Sequence, residues 1–114
     1  MVLSMESQGG QVLSDADTQA VREVAVPNRE GFHARPVMRF VDLASEYQAE
    51  VTVTNLSGAN EPVNGKSPME LMLLDAPQGS RLRIEARGAD AREAVEALAG
   101  LVKAAFHMDS SPEA

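Results

Sequence analysis

The seven residues Arg81-Leu82-Arg83-Ile84-Glu85-Ala86-Arg87 alternate charged and apolar side chains without a break. Successive side chains of a strand point to opposite faces, so this segment predicts a strand with one apolar and one wet face. The stretch 50–55 repeats the pattern, with Val51 and Val53 set against Thr52 and Thr54. A sheet of this kind must cover its apolar face with a second layer. Two helical segments offer one. Val37, Phe40, Val41 and Ala44 recur at i, i+3, i+4 and i+7 within 36–47, and Pro36 suits a first helical turn, so that helix should begin close to His33. Ala91, Ala94, Val95, Leu98, Leu101, Val102 and Ala105 form a longer stripe. Residues 22–26 predict a first strand, with Val24 and Val26 on one side, broken by Pro27, Asn28 and Gly31. Ser57-Gly58-Ala59-Asn60 signals a turn that returns the chain as a short antiparallel strand over 61–64. Ser67-Pro68-Met69-Glu70 has the form of a capping box opening a short helix through Leu74, stopped by Pro77 and Gly79. Asp90-Ala91-Arg92-Glu93 is a second capping-box candidate. The element order is β-α-β-β-α-β-α, an α+β two-layer sandwich with an open sheet face.

At 114 residues, 44% of them hydrophobic, the chain has enough material for one core. It has no cysteine, which excludes disulfides, thiolate metal sites and cysteine catalysis, and its two histidines are too few for a multi-histidine metal site. No apolar run approaches the roughly 20 residues that span a bilayer, so no membrane insertion is expected. The N-terminus lacks the basic and apolar regions of a secretory signal, which places the protein in the cytoplasm. The net charge of −7 disfavours nucleic acid as a partner. Residues 1–20 hold Glu6, Asp15 and Asp17 and residues 108–114 hold Asp109 and Glu113, with no base in either stretch. Of 17 acidic and 10 basic residues, 12 and 10 therefore lie in 21–107. The expected organisation is a disordered acidic arm (1–20), a folded domain (21–107) and a flexible tail (108–114).

Chemistry concentrates in Gly31-Phe32-His33-Ala34-Arg35-Pro36. A histidine stands just before a helix and an arginine falls in its first turn. The unpaired N–H groups of that turn form an anion site, and a guanidinium adds charged donors that suit phosphate oxygens. A neutral imidazole is a nucleophile, so these parts together can accept and hold a phosphoryl group. Elsewhere the ordinary structural reading prevails. Glu30 is a solvated loop residue. His107 complements a helix C-terminus. Arg81, Arg83 and Arg87 form a solvated row without the aromatics that a nucleic-acid site would want.

The motif 31–36 resembles the Gly-Leu-His-Ala-Arg-Pro active-site motif of HPr, the histidine-containing phosphocarrier of the bacterial phosphoenolpyruvate-dependent phosphotransferase system. Asn64-Gly65-Lys66-Ser67-Pro68-Met69-Glu70-Leu71-Met72 resembles the second HPr motif, and Gly88-Ala89-Asp90-Ala91-Arg92-Glu93-Ala94-Val95 resembles its last helix entry. The likeness covers about residues 21–106. It implies a four-stranded antiparallel sheet in order 1-4-2-3. It implies His33 as a phosphoryl acceptor at Nδ1, with Arg35 and the Ala34 segment binding the phosphate. It implies Ser67 as a regulatory phosphorylation site, and Phe32, Met69 and Met72 as a docking patch, with Leu71 and Leu74 in the core. The implied partners are Enzyme I, enzyme IIA domains and an HPr kinase/phosphorylase. The chain would be a monomeric, stoichiometric carrier without cofactor or metal, serving sugar uptake or regulation. Pro68 departs from the usual Ile or Val and should remove an apolar side chain from the docking patch. Asp42, Glu46 and Glu70 are a second departure, since they would slow association with an acidic partner. The alternative is an HPr-fold regulatory module that acts by docking to an enzyme or transcription factor.

Overall fold

The computed structural model describes residues 18–107. The tail expected at 108–114 and all but the last three residues of the expected arm lie outside them. Eight elements follow in order among the described residues. They are β1 (Gln19–Ala25), α1 (Ala34–Ala44), β2 (Glu50–Asn55), β3 (Pro62–Asn64), α2 (Pro68–Met72), β4 (Arg81–Arg87), α3 (Ala91–Lys103) and a closing turn over Ala105–His107. The strands form one sheet in spatial order β1-β4-β2-β3, and every neighbouring pair is antiparallel.

The alternating segments become strands at the expected bounds, because β4 lies in the middle of the sheet with partners on both sides. Leu82, Ile84 and Ala86 are buried beneath the helices, as are Val51 and Val53 of β2. Arg81 and Arg87 lie exposed on the opposite face, and Arg83 is half-buried there. Arg81 and Arg83 both reach the Glu23 carboxylate, at 2.8 and 3.7 Å. The basic row is thus a solvated, partly neutralised surface.

β1 starts at Gln19, three residues before the expected Arg22 and inside the stretch assigned to the arm. Its length follows its partner. Gln19 pairs with Arg87, and the Gly88 N–H donates to the Thr18 carbonyl at 2.8 Å. A ladder of that length outweighs the polar composition of 18–20.

Val37, Phe40, Val41 and Ala44 are all buried, so the stripe on α1 faces the core as its periodicity requires. α3 buries Ala91, Ala94, Val95, Leu98, Leu101 and Val102 and packs across β1 and β4. Ala105 is only half-buried, because the helix has ended before it. The chain there turns through three consecutive left-handed residues, Ala105, Phe106 and His107, with φ of 55°, 61° and 57°. Each such non-glycine residue costs on the order of 1 kcal/mol, and Phe106, with no exposed surface, is what the turn buries. Among the described residues no helix is long and apolar enough to cross a membrane.

The second capping box does not form. Asp90 stands at the N-cap of α3, but its side chain caps nothing there. Its carboxylate instead accepts the N–H groups of Gln48 and Ala49, each at 2.8 Å. Those two amides lead into β2, and the carboxylate supplies both with an acceptor. Gly88 permits the approach. Its φ is 144°, and a Cβ there would lie 2.9 Å from the Ala49 Cα. The Gln48 bond, followed by the Ala49 bond and the nearby Lys66 charge, holds the Asp90 carboxyl below the ordinary aspartate value against the opposing effect of desolvation. A carboxyl lowered in the folded state adds stability at neutral pH, and that stability is lost as pH falls through the lowered value. Asp90→Asn is therefore expected to lower the unfolding free energy at pH 7. The deficit should begin to close as pH drops below about 4, where the unfolded chain's aspartate takes up its proton, and shrink further as pH falls through the lowered folded value. Urea titrations of both proteins at pH 7 and at pH 3 check this; a deficit of the same size at both would contradict it.

Candidate functional site

The loop before α1 is held by its backbone. Gly31 adopts φ +75°, and its N–H donates to the Asn28 carbonyl at 3.1 Å. The Asn28 side-chain amide donates back to the Gly31 carbonyl at 2.7 Å. The next amide, that of Phe32, donates to the Ala76 carbonyl at 2.8 Å and forms a one-residue antiparallel bridge to the segment after α2. Only glycine fits at 31. A Cβ there would stand 2.7 Å from the Ala76 oxygen and 2.9 Å from the Pro77 Cα.

His33 follows as the N-cap of α1, with extended backbone (φ −116°, ψ −159°) and an exposed side chain. Its carbonyl accepts the first helical bond, from the Val37 N–H at 2.7 Å, while its imidazole makes no capping bond. Ala34, Arg35 and Pro36 then occupy the first turn. Proline has no N–H, so the turn offers two outward donors, the amides of Ala34 and Arg35. No acidic residue stands in that turn, the Arg35 side chain is exposed, and Glu30 is exposed in the preceding loop. The helix dipole and two amides therefore stand at an accessible imidazole, with an exposed arginine in the same turn, a setting that favours an anion. Chemically, the arrangement can take a phosphoryl group onto nitrogen and stabilise its oxygens.

The second motif lies across a groove. Ser67 is the N-cap of α2, and its Oγ accepts the Glu70 N–H at 3.2 Å. The box is half-formed. The Glu70 carboxylate accepts the Asn64 N–H at 2.9 Å, while the Ser67 N–H donates to the Asn64 carbonyl at 3.2 Å. A groove of about 530 Å³ separates α1 from α2 and brings Ala34 and Ser67 into one surface. Val37, Met38, Pro68, Met69 and Met72 complete its lining. Met69 is 79% exposed, and Met38 and Met72 are close to half exposed.

The structure corrects two expectations about this patch. Phe32 belongs to the core rather than the surface: it has no exposed area, because its ring is stacked on Phe106 and set edge-on to Phe40. Pro68 does not empty the patch, because its own ring lines the groove. Leu71 and Leu74 are buried as expected. Met38 is the lining residue that periodicity passed over. It lies one position past the buried stripe at Val37, where an exposed methionine is the available signal. Asp42 and Glu46 are exposed on or just beyond α1, and neither lines the groove. His107 is exposed in the closing turn, not in a helical last turn.

Residues 20–104 match the family model described as the PTS HPr component phosphorylation site. The phosphocarrier protein NPr of Proteus mirabilis is 40% identical over 88 residues, which cover 77% of this chain and 96% of that protein. A multiphosphoryl transfer protein of Escherichia coli O157:H7 is 40% identical over 92 residues, but this chain spans only 24% of its length. The crystal structure of HPr-C-His from Thermoanaerobacter tengcongensis superposes with a TM-score of 0.73 at 33% identity, over 80% of this chain and 99% of that one. Fold and comparisons thus define an HPr-like domain. The chain belongs to the HPr family of the phosphotransferase system.

Gly31→Ala should destabilise the domain by roughly 2 kcal/mol, since it adds left-handed strain to a clash with backbone. Chemical denaturation measures the loss, and exchange of the Phe32 amide should rise with it. An unchanged Phe32 amide would contradict the packing argument.

Proposed function

We propose that His33 accepts a phosphoryl group from Enzyme I and passes it to enzyme IIA domains. The observation that carries this reading is the exposed imidazole at the N-cap of α1, with two outward amides and the exposed Arg35 in the turn that follows. Nδ1 of the neutral imidazole attacks phosphorus in line. The N–P bond forms as the donor's bond to phosphorus breaks, and the donor leaves with that electron pair. The Ala34 and Arg35 amides and the guanidinium take up the charge on the phosphoryl oxygens. The return step is the same displacement with an acceptor nucleophile.

The apolar groove from Ala34 to Met72 is the docking surface in this reading. Met38, Met69 and Met72 supply adaptable side chains that repack against different partners. Ser67 is a regulatory phosphorylation site for an HPr kinase. A phosphate at the start of α2 is compatible with the dipole, and it would place a dianion on the groove wall. The carrier acts as a monomer in the cytoplasm, and one face meets successive partners in turn.

Incubation with phosphoenolpyruvate and Enzyme I should give one acid-labile phosphate per chain. His33→Ala should abolish it. Arg35→Ala should slow transfer roughly ten- to a hundredfold, as removal of a charge-stabilising donor does elsewhere. Labelling of His33→Ala at the parent rate would refute the assignment.

A further inference from the structure

We infer that Phe106 is a positioning residue for His33, acting through Phe32. This rests on His33 being the phosphoryl acceptor. Three features converge on it. Phe32 immediately precedes His33, and its ring packs against two others. The Phe40 ring meets it edge-on with centroids 5.5 Å apart and planes at 72°, and the Phe106 ring stacks on it at 5.5 Å and 14°. All three rings are fully buried. Phe106 is delivered by the turn Ala105–His107, in which three successive non-glycine residues hold φ near +60°. A strained conformation persists only where its surroundings enforce it, and what this turn secures is one ring seated against Phe32.

The consequence falls on His33 because little else fixes it. Its carbonyl is bound by the Val37 amide and its side chain is exposed without a capping bond. On the N-terminal side, its backbone is set by Phe32, through the bridge to Ala76 and the clamped ring. Phe40 belongs to α1 itself and moves with the helix. Phe106 comes from the far end of the chain and fixes Phe32 against the body of the domain. The C-terminal turn thus acts as a strut under the phosphoryl-accepting loop.

Phe106→Leu keeps most of the apolar volume and removes the ring; Phe106→Met is the second variant should the first not fold. Val53→Ala, in the central sheet, serves as the control for a comparable fall in melting temperature. The readouts are phosphoryl transfer from Enzyme I and the three-bond HN–Hα couplings of Phe32 and His33, which report φ directly. Phe106→Leu should slow transfer at saturating Enzyme I roughly tenfold, with KM held within about twofold, because small misplacements of a reacting group are costly. Its couplings should move toward averaged values, and Val53→Ala should alter neither readout. A folded Phe106 variant with parent couplings and parent rate would overturn the inference. An equal loss of rate in Val53→Ala would do the same. If the parent protein takes no phosphate on His33, the proposed function fails, while the couplings still decide whether Phe106 sets that backbone.

Discussion

The hydrogen bond from the Phe32 amide to the Ala76 carbonyl joins the two halves of the candidate site. One half is the loop that ends at His33. The other is the stretch that leaves α2 and enters β4. Their backbones come close enough for a bridge because residue 31 has no side chain to keep them apart. Once joined, the first turn of α1 and the first turn of α2 face each other across a single groove. Asn55 supports the same junction, since its side-chain amide donates to the Leu74 carbonyl at 3.1 Å. The sheet therefore sets the distance between two motifs that are thirty-odd residues apart in sequence.

Pro36 shapes the electrostatics as well as the helix. A first turn with three free amides would grip an anion more firmly than one with two. A carrier needs binding that is sufficient but not final, because each stabilisation of the bound phosphoryl group raises the barrier to its departure. Two amides and an exposed guanidinium form a modest, solvent-screened site. In the proposed function the apolar groove beside it would supply recognition without adding to the grip on phosphate.

Much of this was legible in the sequence. The alternation in 50–55 and 81–87 gave the two central strands to the residue, since a period of two has no other regular interpretation. The stripe from Val37 to Ala44 and the proline at 36 located α1, and with it the placement of His33 at a helix start. Ser67 was legible because a serine followed by proline is a local signal with local consequences. Most of the failures were long-range. Asp90 looked like a cap because its sequence neighbours fit one, yet the amides it serves lie more than forty residues away. Phe32 looked like part of a surface because the motif around it is one, and only the arrival of Phe106 shows why it is buried. The extra residues of β1, Gln19, Ala20 and Val21, were invisible because three side chains of mixed polarity carry no period; the ladder to β4 decides them. The left-handed turn had no signal either, since none of its three residues is glycine or asparagine.

One margin of the sheet is β3, three residues long and headed by Pro62. Such a border gives an incoming strand little ladder to build on, and proline has no amide hydrogen to offer it. Copies of the chain that collide along this border find no template on which to add strand to strand.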